Sequence, residues 1–93
     1  MTINALIRAY LAVAEVTLTL YSREGCHLCE VMLQTLRGLQ THLGFNLQLV
    51  DVDRDPELVR RYDEWVPVLC CGEQEICHYQ LDEQALRAAL YSQ

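Results

Sequence analysis

Val16-Thr17-Leu18-Thr19-Leu20-Tyr21-Ser22-Arg23-Glu24-Gly25-Cys26-His27-Leu28-Cys29 is the stretch on which the fold turns. Its first half is β-favouring and alternates, which predicts a strand over 16–21 with Leu18 and Leu20 on one face and Thr17 and Thr19 on the other. Ser22 to Gly25 breaks the strand, and a helix-period pattern begins at the cysteines. Cys26 is therefore expected at or just before the first helical residue and Cys29 one turn deeper, on the same side. A helix N-terminus presents unpaired backbone N–H groups and the positive end of the dipole, and both favour a thiolate over a thiol. The pair thus predicts dithiol–disulfide exchange, with Cys26 attacking and Cys29 resolving. Arg23 and His27 add positive charge beside Cys26, and Glu24 opposes them.

Downstream, Leu28, Val31, Met32, Leu36, Leu39 and Leu43 recur every three or four residues up to Gly44, a suitable residue just past a helix end. Phe45 to Val52 alternates and then becomes apolar on both sides, as a strand buried against helices does. Asp55-Pro56 supplies an N-cap and a first-turn proline for a short helix through about Tyr62. Val66 to Cys71 and Glu75 to Tyr79 read as two strands joined at Gly72 in an antiparallel hairpin. Asp82 caps a last helix, with Leu81 and Leu86 spaced as a hydrophobic staple. Ile3, Leu6, Ile7, Tyr10, Leu11 and Ala14 follow helical spacing, so residues 1–15 are expected to form a helical extension ahead of one domain over 16–93. Ala12-Val13-Ala14 looks like a signal-peptidase site, but Arg8 splits the apolar run and no basic residue precedes it.

Ninety-three residues suffice for one compact domain and not for two. The composition is 52% hydrophobic and 22% charged, that of a folded chain. A net charge of −6, without a Lys/Arg cluster, argues against nucleic acid as a partner. No run approaches the ~18 apolar residues of a membrane span. Five cysteines are an odd number for a structural disulfide framework, and a CxxC beside a βαβ pattern points to redox chemistry in a reducing compartment such as the cytoplasm.

Tyr21 to Cys29 after the first strand, Arg23 three residues before the first cysteine, and Val66-Pro67 opening the third strand resemble the glutaredoxin-like branch of the thioredoxin superfamily over roughly residues 16–90. The resemblance implies an α/β thioredoxin fold, a four-stranded mixed sheet flanked by helices, here with the extra N-terminal helix. It also implies a cis Val66–Pro67 bond whose loop lies against the CxxC, a role it carries to Pro67 alone; Arg23, Trp65, Val66 and Pro67 are the expected substrate-binding residues. Glutaredoxins usually carry Gly-Gly after the fourth strand to admit glutathione; here Cys77-His78 stands there. Glutathione is thus expected to be a weak co-substrate compared with a protein dithiol. The expected partner is a protein or small-molecule disulfide, and the chain is expected to be a monomer or weak dimer with no bound metal or prosthetic group.

Competing readings concern the same residues. Cys26, Cys29, Cys70, Cys71 and Cys77 with His27 and His78 contain enough ligand types for a zinc site, although Cys70 and Cys71 point to opposite faces of a strand. A non-catalytic interaction module on the same fold is a third reading. Cys70 and Cys71 suit strand packing, while Cys77 and His27 are auxiliary candidates at the site. Cys77 is expected to pair across from a residue near Val66 or Val68. Trp65 reads either as a core aromatic or as part of the substrate surface.

Overall fold

A computed structural model describes Val13 and residues 15–92. The expected N-terminal helix falls almost wholly outside these residues. From Thr17 the order is β1 (Thr17–Ser22), α1 (His27–Leu43), β2 (Asn46–Asp51), a 3-10 turn (Val52–Arg54), α2 (Pro56–Tyr62), β3 (Val68–Cys71), β4 (Gln74–His78) and α3 (Glu83–Tyr91). The four strands form one sheet in the order β2-β1-β3-β4. β1 and β2 are parallel, and the other two pairs are antiparallel. This is the mixed sheet that a βαβ unit followed by a hairpin demands.

Each helix begins and ends where its capping chemistry lies. The Asp55 carboxylate accepts the Glu57 N–H at the start of α2, and the Asp82 carboxylate accepts the Ala85 N–H at the start of α3. Gly44 closes α1 at φ 83°, a left-handed conformation that side chains resist, and its N–H reaches the Gln40 carbonyl at 2.8 Å.

The two sheet faces bury different things. Leu18, Leu20 and Leu69 pack with Met32 and Leu36 of α1 and Leu86 and Leu90 of α3, in a cluster that includes Phe45 and Val13. The opposite face pairs Tyr21 with Val68 and Thr19 with Cys70. There Tyr62 stacks on Tyr21 with ring centroids 4.4 Å apart. Truncating one fully buried leucine of such a core costs about 2–5 kcal/mol, a large share of the ~5–15 kcal/mol that holds a small domain folded.

Several elements differ from the sequence-based expectation. The buried stripe of α1 runs through Cys29, Met32 and Leu36, flanked by Leu33, Leu39 and Leu43. Leu28 and Val31, expected in that stripe, are 42% and 49% exposed. β2 lies at the sheet edge with Leu49 exposed; the buried apolar residues of that stretch are Phe45 before the strand and Val52 after it. β1 is shifted one residue towards the CxxC, and β4 ends at His78. β3 begins at Val68 rather than Val66, because Val66 and Pro67 belong to the preceding loop.

Between Leu69 and Cys70 the hairpin register shifts by one residue. Cys77 stands opposite Leu69 and Glu75 opposite Cys70, so Ile76 falls between the two pairs. Cys77 thus opposes Leu69, next to Val68 as expected, and His78 opposes Val68 itself. The bulge lets Ile76 and Cys77, neighbours in sequence, both pack against the core.

Candidate functional site

Cys26 is the N-cap of α1, with extended backbone angles of φ −95° and ψ 104°, and its sulfur accepts the Cys29 N–H at 3.2 Å. A cap residue of this kind satisfies one of the helix's orphan donors, so the sulfur is held at the positive end of the dipole. Gly25, at φ 74°, makes the turn that brings the chain from β1 into the cap. Cys26 and Cys29 are joined as a disulfide with Cα atoms 5.2 Å apart. Cys26 is partly exposed, whereas Cys29 is 4% exposed and belongs to the buried face of α1. An approaching group therefore meets Cys26 first.

Arg23 lies in the loop leading to the disulfide, and its guanidinium is fully engaged. Nε and a terminal nitrogen donate to the two Asp53 oxygens at 3.2 and 2.7 Å, and the other terminal nitrogen donates to the Asp63 carboxylate at 2.8 Å and its carbonyl at 3.3 Å. Hydrogen bonds to Asp53 and then Asp63 push the guanidinium pKa further up. This fork ties the CxxC loop to the turn after β2 and to the end of α2, two residues before Trp65.

Trp65, 45% exposed, forms an aromatic group with His78 and Tyr79, at centroid distances of 5.3 and 6.0 Å. Tyr79 adopts φ 64°, rare for a residue with a side chain. Two contacts hold it there: its hydroxyl donates to the Glu64 carbonyl at 2.6 Å, and its N–H donates to the Pro67 carbonyl at 2.9 Å. The Val66–Pro67 bond is cis, and Pro67 is buried. His78 Nδ1 lies 2.8 Å from a Glu75 carboxylate oxygen.

Two grooves flank the disulfide. One, of about 620 Å³, has Cys29, Leu33, Leu49 and Leu58 in its lining and Glu24 and Glu30 at its rim. The other, of about 360 Å³, lies between Leu28 and Val31 of α1 and Tyr79 and Leu81 beyond β4. Arg23 and Cys29 thus share the larger groove, and Leu28 shares the smaller one with Tyr79 of the aromatic group. His27 is exposed on the first helical turn. Cys77 packs against the core, where burial pushes its thiol pKa up. Cys70 is buried on the other face and its pKa is likewise raised by burial. Among the described residues, no three His, Cys, Asp or Glu side chains converge as a metal-ligand set. No helix among them is long and apolar enough to cross a membrane.

The sequence pattern did not single out Asp53, Asp63, Leu28, Val31 or Tyr79 for the site.

Residues 17–91 match the family described as Glutaredoxin-like domain (DUF836). The uncharacterized protein Rv0508 of Mycobacterium tuberculosis is 31% identical over 74 residues, 74% of this chain and 76% of that protein. The solution structure of protein Ne2328 from Nitrosomonas europaea is similar with a TM-score of 0.72 and 43% identity, over 80% of this chain and 89% of that one. The fold extends to a buckwheat glutaredoxin crystallised as a glutathione complex, at a TM-score of 0.51 and 20% identity, over 95% of this chain and 84% of that one. With a thioredoxin-type sheet, a CxxC capping its first long helix and a family match across nearly all of the described residues, the chain belongs to the glutaredoxin-like domain family.

Proposed function

We propose that the chain is a thiol–disulfide oxidoreductase of the dithiol type, a glutaredoxin-like protein disulfide reductase. The observation that carries this is the asymmetry of the pair: a partly exposed sulfur capping a helix, backed by a buried one within bonding reach. In the reduced protein the cap position favours the Cys26 thiolate. That thiolate attacks one sulfur of a substrate disulfide and expels the other as a thiolate. Cys29 then loses its proton and attacks Cys26, which releases the second substrate thiolate and leaves the Cys26–Cys29 disulfide. Two electrons pass to the substrate, and a thiol or dithiol reductant restores the enzyme. Holding Cys29 one helical turn away makes the second step intramolecular and fast. The unpaired thiols Cys70, Cys71 and Cys77 support a reducing compartment such as the cytoplasm.

The test is reduction of a dye-labelled protein disulfide by the pre-reduced chain. Cys29→Ser is expected to accumulate a mixed disulfide with the substrate, and Cys26→Ser to lose activity by at least about a thousandfold. Activity surviving in Cys26→Ser would refute the assignment. Stoichiometric zinc with no exchange activity would replace the reading by a metal-binding one.

A further inference from the structure

The surroundings of the disulfide combine two properties. The rim is apolar: Leu28 lies within the CxxC itself, Val31 one turn on, and Tyr79 stands across the groove from them with Trp65 beside it, all exposed. The charge around it is negative. Glu24, Glu30, Asp51 and Asp55 line the larger groove and Glu83 the smaller one. The two cations of that region are already occupied or weakly placed. Arg23 is held between two carboxylates, and Arg54 is highly exposed and reaches Asp51 only at 3.9 Å. In the larger groove a carboxylate-bearing thiol such as glutathione would meet the carboxylates of Glu24, Glu30, Asp51 and Asp55 with Arg54 as the one guanidinium not already held in a fork.

Resting on the exchange reading above, we propose that the substrate is a cationic polypeptide disulfide. Its cysteine is presented by a segment that seats an apolar side chain in the groove between Leu28, Val31 and Tyr79. Basic side chains on either side of that cysteine meet Glu24, Glu30 and Glu83. The apolar contact removes Leu28 and Val31 from water, and the charges speed encounter and disfavour anionic thiols. The chemistry is the two-step exchange already described, with the polypeptide as disulfide and a small dithiol as the reductant that closes the cycle.

The experiment is single-turnover oxidation of the full chain, reduced with dithiothreitol and freed of excess. The oxidants are three peptides with one cysteine and one leucine, flanked by lysines, glutamines or glutamates. Each is a mixed disulfide with the same small neutral thiol, and each rate is normalised to that with dithiothreitol alone. Glutathione disulfide is the fourth oxidant. The lysine peptide is expected to react at least about tenfold faster than the glutamate peptide at low ionic strength, the gap closing at ~0.5 M salt. Glutathione disulfide is expected to fall with the glutamate peptide. Exchanging the leucine for serine should slow the lysine peptide by about three- to tenfold, and Glu24→Lys with Glu30→Lys should invert the charge preference. Equal normalised rates for the lysine and glutamate peptides, or glutathione disulfide matching the lysine peptide, overturn the charge inference alone. A leucine-independent rate overturns the groove seat. No reaction with any of the four overturns the exchange reading, and this inference with it.

Discussion

Five cysteines occupy two regions of this small domain, and the regions treat the same side chain in opposite ways. At the start of α1, Cys26 stands at a helix end, partly in water, with a backbone N–H directed at its sulfur. In the β3–β4 hairpin, Cys70 and Cys77 are packed into the two faces of the sheet, where desolvation raises their pKa values and keeps them as thiols. Residue type supplies the same chemistry in both places. Position in the fold decides which sulfurs are poised to react and which act as small apolar filling.

The largest expected effect tests that contrast head on. With the CxxC reduced, a limiting amount of iodoacetamide at neutral pH should modify Cys26 at least about a hundredfold faster than Cys70 or Cys77, as read by peptide mass spectrometry. Faster labelling of Cys77 would break the comparison, because burial would then not be protecting the hairpin.

Cutting the fastening on each side sharpens it. Arg23→Ala frees the CxxC loop from Asp53 and Asp63, and is expected to lower unfolding stability in urea by about 1–2 kcal/mol. Arg23→Lys should restore less than half of that, since an ammonium cannot reproduce the fork. Tyr79→Phe releases the hairpin end from the Glu64 carbonyl, at an expected cost of about 0.5–1.5 kcal/mol. If Tyr79→Phe proved the more damaging, the hairpin rather than the helix end would be the better-braced side.

The smallest effect is in pH. Cys70 and Cys77 have folded pKa values above the ordinary thiol value of 9.0, so the folded state holds their protons more tightly than the unfolded chain. Their contribution to stability is intact below pH 9.0 and is lost as pH rises through the raised values. Tyr62, pushed up to about 12 chiefly by burial, acts in the same direction from its ordinary value of 10.0 upward. Urea midpoints measured from pH 7 into the alkaline range should therefore fall at the high end, and less steeply in Cys77→Ala. A Cys77→Ala slope equal to that of the parent would assign the loss to other groups.

What the sequence made legible was local. The cap at Cys26, the proline start of α2, the glycine stop at Gly44 and the turn at Gly72 each depend on residues within a few positions. Strand order depends on the whole chain, and so the apolar stretch ending at Val52 read as buried although β2 lies at the sheet edge. Leu28 and Val31 were misplaced for a related reason: a helical period marks apolar residues without saying whether their neighbour is the core or a partner. The Arg23 fork joins residues 30 and 40 positions apart, a distance over which no pattern in the chain connects them. The bulge at Ile76 was hidden because an extra residue in one strand shows only in the register of its pairing, with Glu75 opposite Cys70 and Cys77 opposite Leu69.

That unpaired residue also gives the sheet a reserve of chain length. In a regular strand, losing one residue reverses the parity of everything beyond it; loss of Thr19 would set Leu18 and Leu20 on opposite faces. In β4 the extra residue already absorbs one reversal. Removing Ile76 would leave Glu75 opposite Cys70, Cys77 opposite Leu69 and His78 opposite Val68, in an unbroken alternation. The cost would be one half-buried side chain, with the Glu75–His78 pair and the aromatic group beyond it still on their present faces. The sheet's tolerance for deletion is thus concentrated in the strand that leads to Tyr79, while β1, which leads to the disulfide, has none to spare.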